Sequence, residues 1–267
     1  MTRSSTDIAR WDDLRVRVAS ASGMVVLGIA GIWAGGVWFQ MLVVFATAVM
    51  IWELWIMIHP DRPTVGMLLA ALVASVLSGF LTVDRAWFLF FLPIAPLIGA
   101  AASQRERVTF GLFALMIQAA GWGLVMFRQD YGAIWLFWLV LVVIVTDVAG
   151  YFAGRALGGP KFWPAVSPKK TWSGTIAGWI AAALVGLIFW AATPAGLAIV
   201  ALSTVLSLAG QMGDIAESAL KRRMGVKDSS ALIPGHGGLF DRFDALLGAS
   251  ITMLLIALLF DVPGLAF

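Results

Sequence analysis

Few carboxylates stand inside apolar sequence in this chain, and they are Glu53, Asp147, Asp214, Asp241 and Asp244. Asp241 and Asp244, in the stretch GHGGLFDRFD, are spaced i and i+3 at the start of the last apolar run. A helix there puts both on one face near its positive end, where the dipole accounts for one acid better than for two. Two anions on one face repel each other and require a cation. Hard oxygen ligands on neighbouring helices are what Mg²⁺ accepts while it keeps water and substrate phosphate in its shell. Asp214 lies within the apolar register of VLSLAGQMGD, where an ionised group is costly unless paired or metal-bound. Asp241 and Asp244, beside a helix that carries Asp214, thus read as a candidate metal site, the alternative being acids held by the helix dipole or by ion pairs.

Asp214, Glu217, Ser218 and Lys221 fall at i, i+3, i+4 and i+7, so one stripe of a helix carries all four. Such a stripe is either an interfacial helix end facing water or part of a site. Lys221 is the cation of this stripe and Ser218 its hydroxyl. The glycines of PGHGG, Gly237 and Gly238 among them, let backbone amides approach a phosphate ahead of a helix N-terminus. With Lys221, Arg222, Lys227 and Arg242, this loop holds enough positive charge to neutralise a triphosphate. The same cations also suit topology or anionic headgroups, and His236 suits a cap as well as a substrate contact. A second polar segment reads TDVAGYFAGRALGG and then SPKKTWSG. Ser167, Lys170 and Thr171 are placed to donate to phosphate, while Asp147 and Tyr151 share a helix face. Asp147 is either functional or salt-bridged to Arg155. Glu53, inside MIWELWIM, is a further isolated acid, whereas His59 and Gln118 read as packing or interface residues.

The elements that must position these groups are membrane helices. Of 267 residues 61% are hydrophobic and 12% charged, too little polar surface to cover a soluble globule of this size. No cysteine is present, which excludes disulfides, thiolate metal sites and a thiolate nucleophile. No cleavage pattern follows the first apolar run, which is expected to remain as a span. Apolar runs near the ~20 residues that cross a bilayer core are expected at 18–33, 36–58, 64–82, 87–102, 108–127, 131–152, 174–192, 195–217 and 242–260. The fold class is thus an all-α polytopic membrane protein of nine spans, or eight if the first two merge. Tryptophans such as Trp33, Trp38, Trp87, Trp122 and Trp172 fall near the expected ends. Sixteen of the eighteen Lys and Arg lie in alternate segments, leaving Arg85 and Arg128 opposite, which places the N-terminus in the cytoplasm. Residues 1–130 read as a scaffold with little chemistry. Residues 131–267 read as the catalytic region of the same structural unit, with cytoplasmic loops at 153–173 and 217–242.

The string SALKRRMGVKDSSALIPGHGGLFDRFD, Ser218 to Asp244, resembles the signature of the phosphatidate cytidylyltransferase (CDP-diacylglycerol synthase) family. The matching positions are the Ser, the Lys-Arg pair, Lys227-Asp228, the Pro-x-His-Gly-Gly turn and Asp-Arg-x-Asp. GDIAES and SPKKTWSG also look like family blocks, so the resemblance covers residues 147–244. Ser173 stands where the family usually has Glu, and Lys169 where Gly is frequent. The resemblance implies a homodimeric inner-membrane enzyme with its active site on the cytoplasmic side. It would join CTP to phosphatidic acid with Mg²⁺, giving CDP-diacylglycerol and pyrophosphate. It also implies a paired-metal centre at Asp214, Asp241 and Asp244, with K⁺ as a candidate second ion. Its partners are those substrates and membrane lipids, and no nucleic acid.

That chemistry suits the residues. The phosphate of phosphatidic acid is already an anion, so it needs no general base, and the barrier is mainly repulsion between anions. Its acyl chains also demand a membrane-embedded site, at ~0.8 kcal/mol per buried CH₂. Two other readings remain open at this point. A CTP-dependent lipid-alcohol kinase would need a base such as His236 or Asp228. An ion-coupled transporter would use Asp147, Asp214 and Glu53, and would be expected to show polar residues through the full membrane depth and inverted repeats.

Overall fold

The computed structural model describes residues 5–80 and 90–259, with side chains over 15–79 and 90–259. Arg85, Trp87 and the side chains of Arg3 and Arg10 lie outside the described residues. Helices α1 (Ser5–Ala34) and α2 (Gly36–Ile58) are followed by α3 (Pro63–Phe80), α4 (Ile94–Ala102), α5 (Arg107–Tyr131) and α6 (Ala133–Leu157). A hairpin of β1 (Lys161–Trp163) and β2 (Ser167–Thr171) leads into α7 (Trp172–Ala192), α8 (Ala198–Met224) and α9 (Phe240–Leu259).

Among the described residues, seven helices are long and apolar enough to cross a membrane: α1 from Arg15, α2, and α5 to α9. The expectation of nine comparable spans is therefore refined in two places. The apolar part of α3 is shorter than the other spans. Within the expected span 87–102, the described helix α4 has only nine residues, about 14 Å at 1.5 Å per residue. Pro93 and Pro96 account for its late start, since proline lacks the N–H that an earlier turn would need.

The two polar insertions are also shorter than 153–173 and 217–242, because α6 runs to Leu157 and α8 to Met224. Glu217, Ser218, Lys221 and Arg222 thus lie on the last turns of α8, where the helical stripe read from the sequence continues. A small antiparallel hairpin is added to the all-α bundle, in which Lys161 pairs with Thr171 and Trp163 with Ser167. Prolines 160, 164 and 168 bar a helix here, and the Phe162 ring packs edge-on to Trp172 at 4.7 Å.

Polar contacts fix which ends of the helices share a face. Arg223 at the end of α8 lies 2.8 Å from Glu106 just before α5. Arg105 reaches Asp61, at 3.8 Å, and His59 Nε2 lies 2.7 Å from Ser103 Oγ. Midway along α1, near the start of its apolar part, Ser20 Oγ meets the loop after α8 at Pro234 O, 3.1 Å. At the other end of the bundle, Arg128 Nε donates to Ile32 O at 2.9 Å. The charge alternation read from sequence thus has a physical counterpart, with the loops after α2, α4 and α8 gathered on one face.

Missing side chains set the helix spacing. A Cβ on Gly213 of α8 would lie 2.4 Å from Asp244 O of α9, and one on Gly248 would lie 2.3 Å from Ala209 O. Only glycine permits this backbone-on-backbone crossing, and the crossing is what draws Asp214 and Asp244 together. Two polar pairs join α6 and α8 inside the bundle: Thr146 Oγ1 donates to Ser207 Oγ at 2.8 Å, and Trp138 Nε1 to Ser203 Oγ at 3.1 Å. Large apolar side chains such as Val26, Leu27, Trp33 and Phe45 are exposed on the outer surface of α1 and α2, as lipid-facing residues are.

Candidate active site

At the end of the bundle where α8 passes α9, ligand oxygens of Asp214, Glu217 and Asp244 lie within 4.8 Å of one another. Asp214 and Glu217 come from successive turns of α8, and Asp244 from the first turns of α9. Asp147 on α6 stands at the edge of the group, exposed, within electrostatic reach of Asp214 and Lys170. Two lysines border the cluster. Lys170 Nζ, from β2, is 2.6 Å from Asp214 Oδ2 and 3.3 Å from Gln211 O. Lys221 Nζ sits between two acids, 2.5 Å from Glu217 Oε2 and 2.6 Å from Asp241 Oδ1.

The carboxylates differ in what else they touch. Glu217 is fully buried, and Lys221 at its Oε2 is the one partner found for it among the described residues, shared with Asp241. A buried anion in that state is costly unless further positive charge completes it. Asp214 Oδ1 takes the Ser218 hydroxyl at 3.2 Å, and Asp244 Oδ1 takes the Ala245 amide at 2.7 Å. Hard oxygen donors with spare lone pairs, clustered and under-supplied with protons, fit a divalent cation such as Mg²⁺.

Asp241 is occupied differently. Its Oδ2 accepts the Ser229 amide at 2.8 Å, the Ser229 hydroxyl at 2.9 Å and the Gly238 amide at 2.8 Å, while Oδ1 holds Lys221. It abuts the acid cluster through Lys221. Gly237 turns the chain there with φ 80°, and a Cβ on it would lie 2.9 Å from Asp241 Oδ2.

Residues 15–260 match the sequence profile described as the cytidylyltransferase family. A phosphatidate cytidylyltransferase of Brucella suis biovar 1 (strain 1330) is 35% identical over 269 residues, covering 96% of this chain and 98% of the relative. The protein of that name from Bacillus subtilis (strain 168) is 43% identical over 122 residues, 45% of each chain. That from Helicobacter pylori (strain J99) is 39% identical over 127 residues, 47% of each. The chain belongs to the cytidylyltransferase family.

The remaining expected site residues of this family member fall into two groups. Arg222, Lys227, Asp228 and Arg242 are exposed around the loop between α8 and α9, and Arg242 donates to His236 O through Nε and Nη2 at 2.9 and 2.7 Å. Ser167 opens β2, and Thr171 caps α7 by accepting the Gly174 amide at 3.2 Å. Thr171 Oγ1 is also 3.0 Å from Ser173 Oγ, which in turn donates to Gly158 O. Tyr151 and Arg155 stand apart from the acids. Arg155 Nη1 donates to Tyr151 Oη at 2.9 Å, so the alternative of an Asp147–Arg155 salt bridge gives way to this pair. His236 Nδ1 faces Ser20 Oγ of α1 at 2.9 Å.

Sequence reasoning passed over Gln211, whose Oε1 accepts Trp179 Nε1 at 3.0 Å and whose carbonyl receives Lys170. It also passed over Ser229 and Ser230, plain loop serines with no spacing signal, which prove to hold carboxylates. A cavity of about 270 Å³ lies far from the acids, lined by Trp122, Phe127, Tyr131, Leu139, Met253 and Leu254. It is mostly apolar, with Asp130 and Ser250 also in its wall, and holds none of the expected site residues.

Proposed function

We infer that this protein transfers the cytidylyl group of CTP to phosphatidic acid, forming CDP-diacylglycerol and pyrophosphate within the membrane. The observation that carries the reading is the convergence of Asp214, Glu217 and Asp244 beside Lys170 and Lys221, in a member of the cytidylyltransferase family. A phosphate oxygen of phosphatidic acid attacks the α-phosphorus of CTP, the bond from that phosphorus to the bridging oxygen breaks, and pyrophosphate leaves with the electron pair. No proton need be removed from the nucleophile. What the protein must supply is positive charge against two approaching anions and the charge growing on the leaving group.

Lys170 and Lys221 stand where they can exchange a carboxylate partner for a substrate phosphate. Arg222, Lys227 and Arg242 add an exposed positive rim to the same face, and the PGHGG turn brings backbone amides to it. Asp214, Glu217 and Asp244 would hold Mg²⁺, which when bound supplies a fixed positive charge for the phosphates. Asp241 contributes through Lys221. The same reading puts a homodimer in the inner membrane with the site on the cytoplasmic side. Support for that side is the gathering of loop cations at the end of the bundle that carries the acids. The turn of His236 toward α1 takes one of the kinase reading's two candidate bases away from the acids, leaving Asp228.

The test is a product assay on purified protein with cytidine-labelled CTP, phosphatidic acid and Mg²⁺. Label in the lipid together with released pyrophosphate is expected. Label that stays in free CDP, or full turnover by Asp214→Asn, would overturn the reading.

A further inference from the structure

Glu53 lies on α2, in the half of the chain where sequence places little chemistry, and it is fully buried. Its partners all come from the loop and helix that carry the acids, 176 to 187 residues further along the chain. Oε1 accepts the Ser230 hydroxyl at 2.6 Å and the Leu239 amide at 2.9 Å. Oε2 accepts the Phe240 amide at 2.6 Å and shares the Ser229 hydroxyl, 3.4 Å away. The other partner of that hydroxyl is Asp241.

The first amides of a helix have no intrahelical acceptor, and α9 begins at Phe240. Three successive amides at this start, Gly238, Leu239 and Phe240, are met by two carboxylates, Asp241 taking the first and Glu53 the other two. The cap of α9 is thus supplied partly from another helix. The fit is tight, since a Cβ on Gly238 would lie 2.5 Å from Glu53 Oε1 and 2.0 Å from Ser229 Oγ. From Asp241 the chain of contacts continues through Lys221 to Glu217, and so to Asp214 and Asp244.

We propose that Glu53 is a positioning residue for the transfer reaction, fixing the start of α9 and with it Asp241, Lys221 and the spacing of the acid cluster. The proposal rests on the reading that this cluster binds Mg²⁺. Groups that orient metal ligands from behind typically alter metal affinity or activity by about 10–100-fold when replaced. Glu53→Gln keeps the shape but turns an amide NH₂ toward two donors. Glu53→Asp keeps the charge on a shorter arm.

The experiment uses full-length protein in detergent and measures two quantities: the rise in melting temperature as Mg²⁺ is titrated without substrate, and kcat with KM for CTP. Glu53→Gln is expected to need about tenfold more Mg²⁺ for half of the thermal shift and to lose kcat by a similar factor. Glu53→Asp should fall between it and the unaltered protein. A merely structural role would lower the melting temperature and the active fraction while leaving the half-saturating Mg²⁺ unchanged, and that result overturns the proposal. If Glu53→Gln does not assemble, Ser230→Ala, which removes one donor, should shift the Mg²⁺ requirement in the same direction by less, and no shift overturns the proposal. Loss of the Mg²⁺ response in Asp214→Asn separates the two claims: an unchanged response there sinks the metal reading itself, whatever Glu53 does.

Discussion

Two sets of carboxylates lie side by side at one end of this bundle and are treated in opposite ways. Glu53 and Asp241 are wrapped by amides, hydroxyls and an ammonium, four donors to each. Asp214, Glu217 and Asp244 crowd together with fewer donors: Lys170 and the Ser218 hydroxyl for Asp214, Lys221 for Glu217 and the Ala245 amide for Asp244. Residue type does not separate the sets, and neither does helix, since Asp241 and Asp244 are one turn apart on α9. The supply of donors does. A satisfied buried acid is a fixed part of the structure, whereas an under-supplied cluster has lone pairs and excess negative charge to offer a cation.

The largest expected effect is on turnover in the under-supplied set. Asp214→Asn and Asp244→Asn should each lower kcat by about 10²–10³-fold, the scale of losing one electrostatic contact to a transition state. Because each change also relieves repulsion between neighbouring acids, the melting temperature without Mg²⁺ should hold or rise in Asp244→Asn and change little in Asp214→Asn, which also gives up the Lys170 ion pair. A large loss of stability in either variant would move that residue into the satisfied set.

Asp241→Asn tests the contrast from the other side. It leaves Lys221 facing an amide and at least one loop donor poorly matched, a defect worth about 1–3 kcal/mol. Chemical denaturation in detergent should show that destabilisation, with a smaller kcat loss than Asp214→Asn. Turnover abolished with stability intact would instead place Asp241 among the metal ligands, as expected from sequence.

Smaller effects belong to groups on the same face outside both sets. Burial, followed by the charge of Arg105, holds His59 below its ordinary value of 6.5. The folded protein therefore binds this proton less readily than the unfolded chain, and stability should fall as pH drops through 6.5 toward the lower folded value. Melting temperature recorded against pH checks this, and His59→Gln should flatten the curve over that window. The smallest change is expected at the rim, where the Thr109 hydroxyl and then Arg223 hold the Glu106 carboxyl below its usual range. Arg223→Ala should leave kcat unaltered and shift the melting temperature less than Asp241→Asn does, with that shift fading in high salt.

Much of the molecule was legible in its sequence for local reasons. Apolar run length marked the long helices, and period 3.6 put Asp214, Glu217, Ser218 and Lys221 on one stripe. The spacing of the Ser218–Asp244 string matched a family whose membership the whole-chain comparisons bear out. The hairpin at 161–171 and the short α4 were not visible, because apolar periodicity says little about polar segments and proline-broken runs.

Sequence by itself determined that this chain lives in a membrane, belongs to the cytidylyltransferase family and carries candidate acids on its last two helices. Only the tertiary structure decided how those acids divide. Helical period fixes which residues share a face, but whether a carboxylate is satisfied depends on donors brought in from elsewhere. For Glu53 these arrive from residues 229 to 240, through a fold that sets α2 against the start of α9. For Asp214 and Asp244, a glycine crossing brings two acids close without bringing enough donors to quench them.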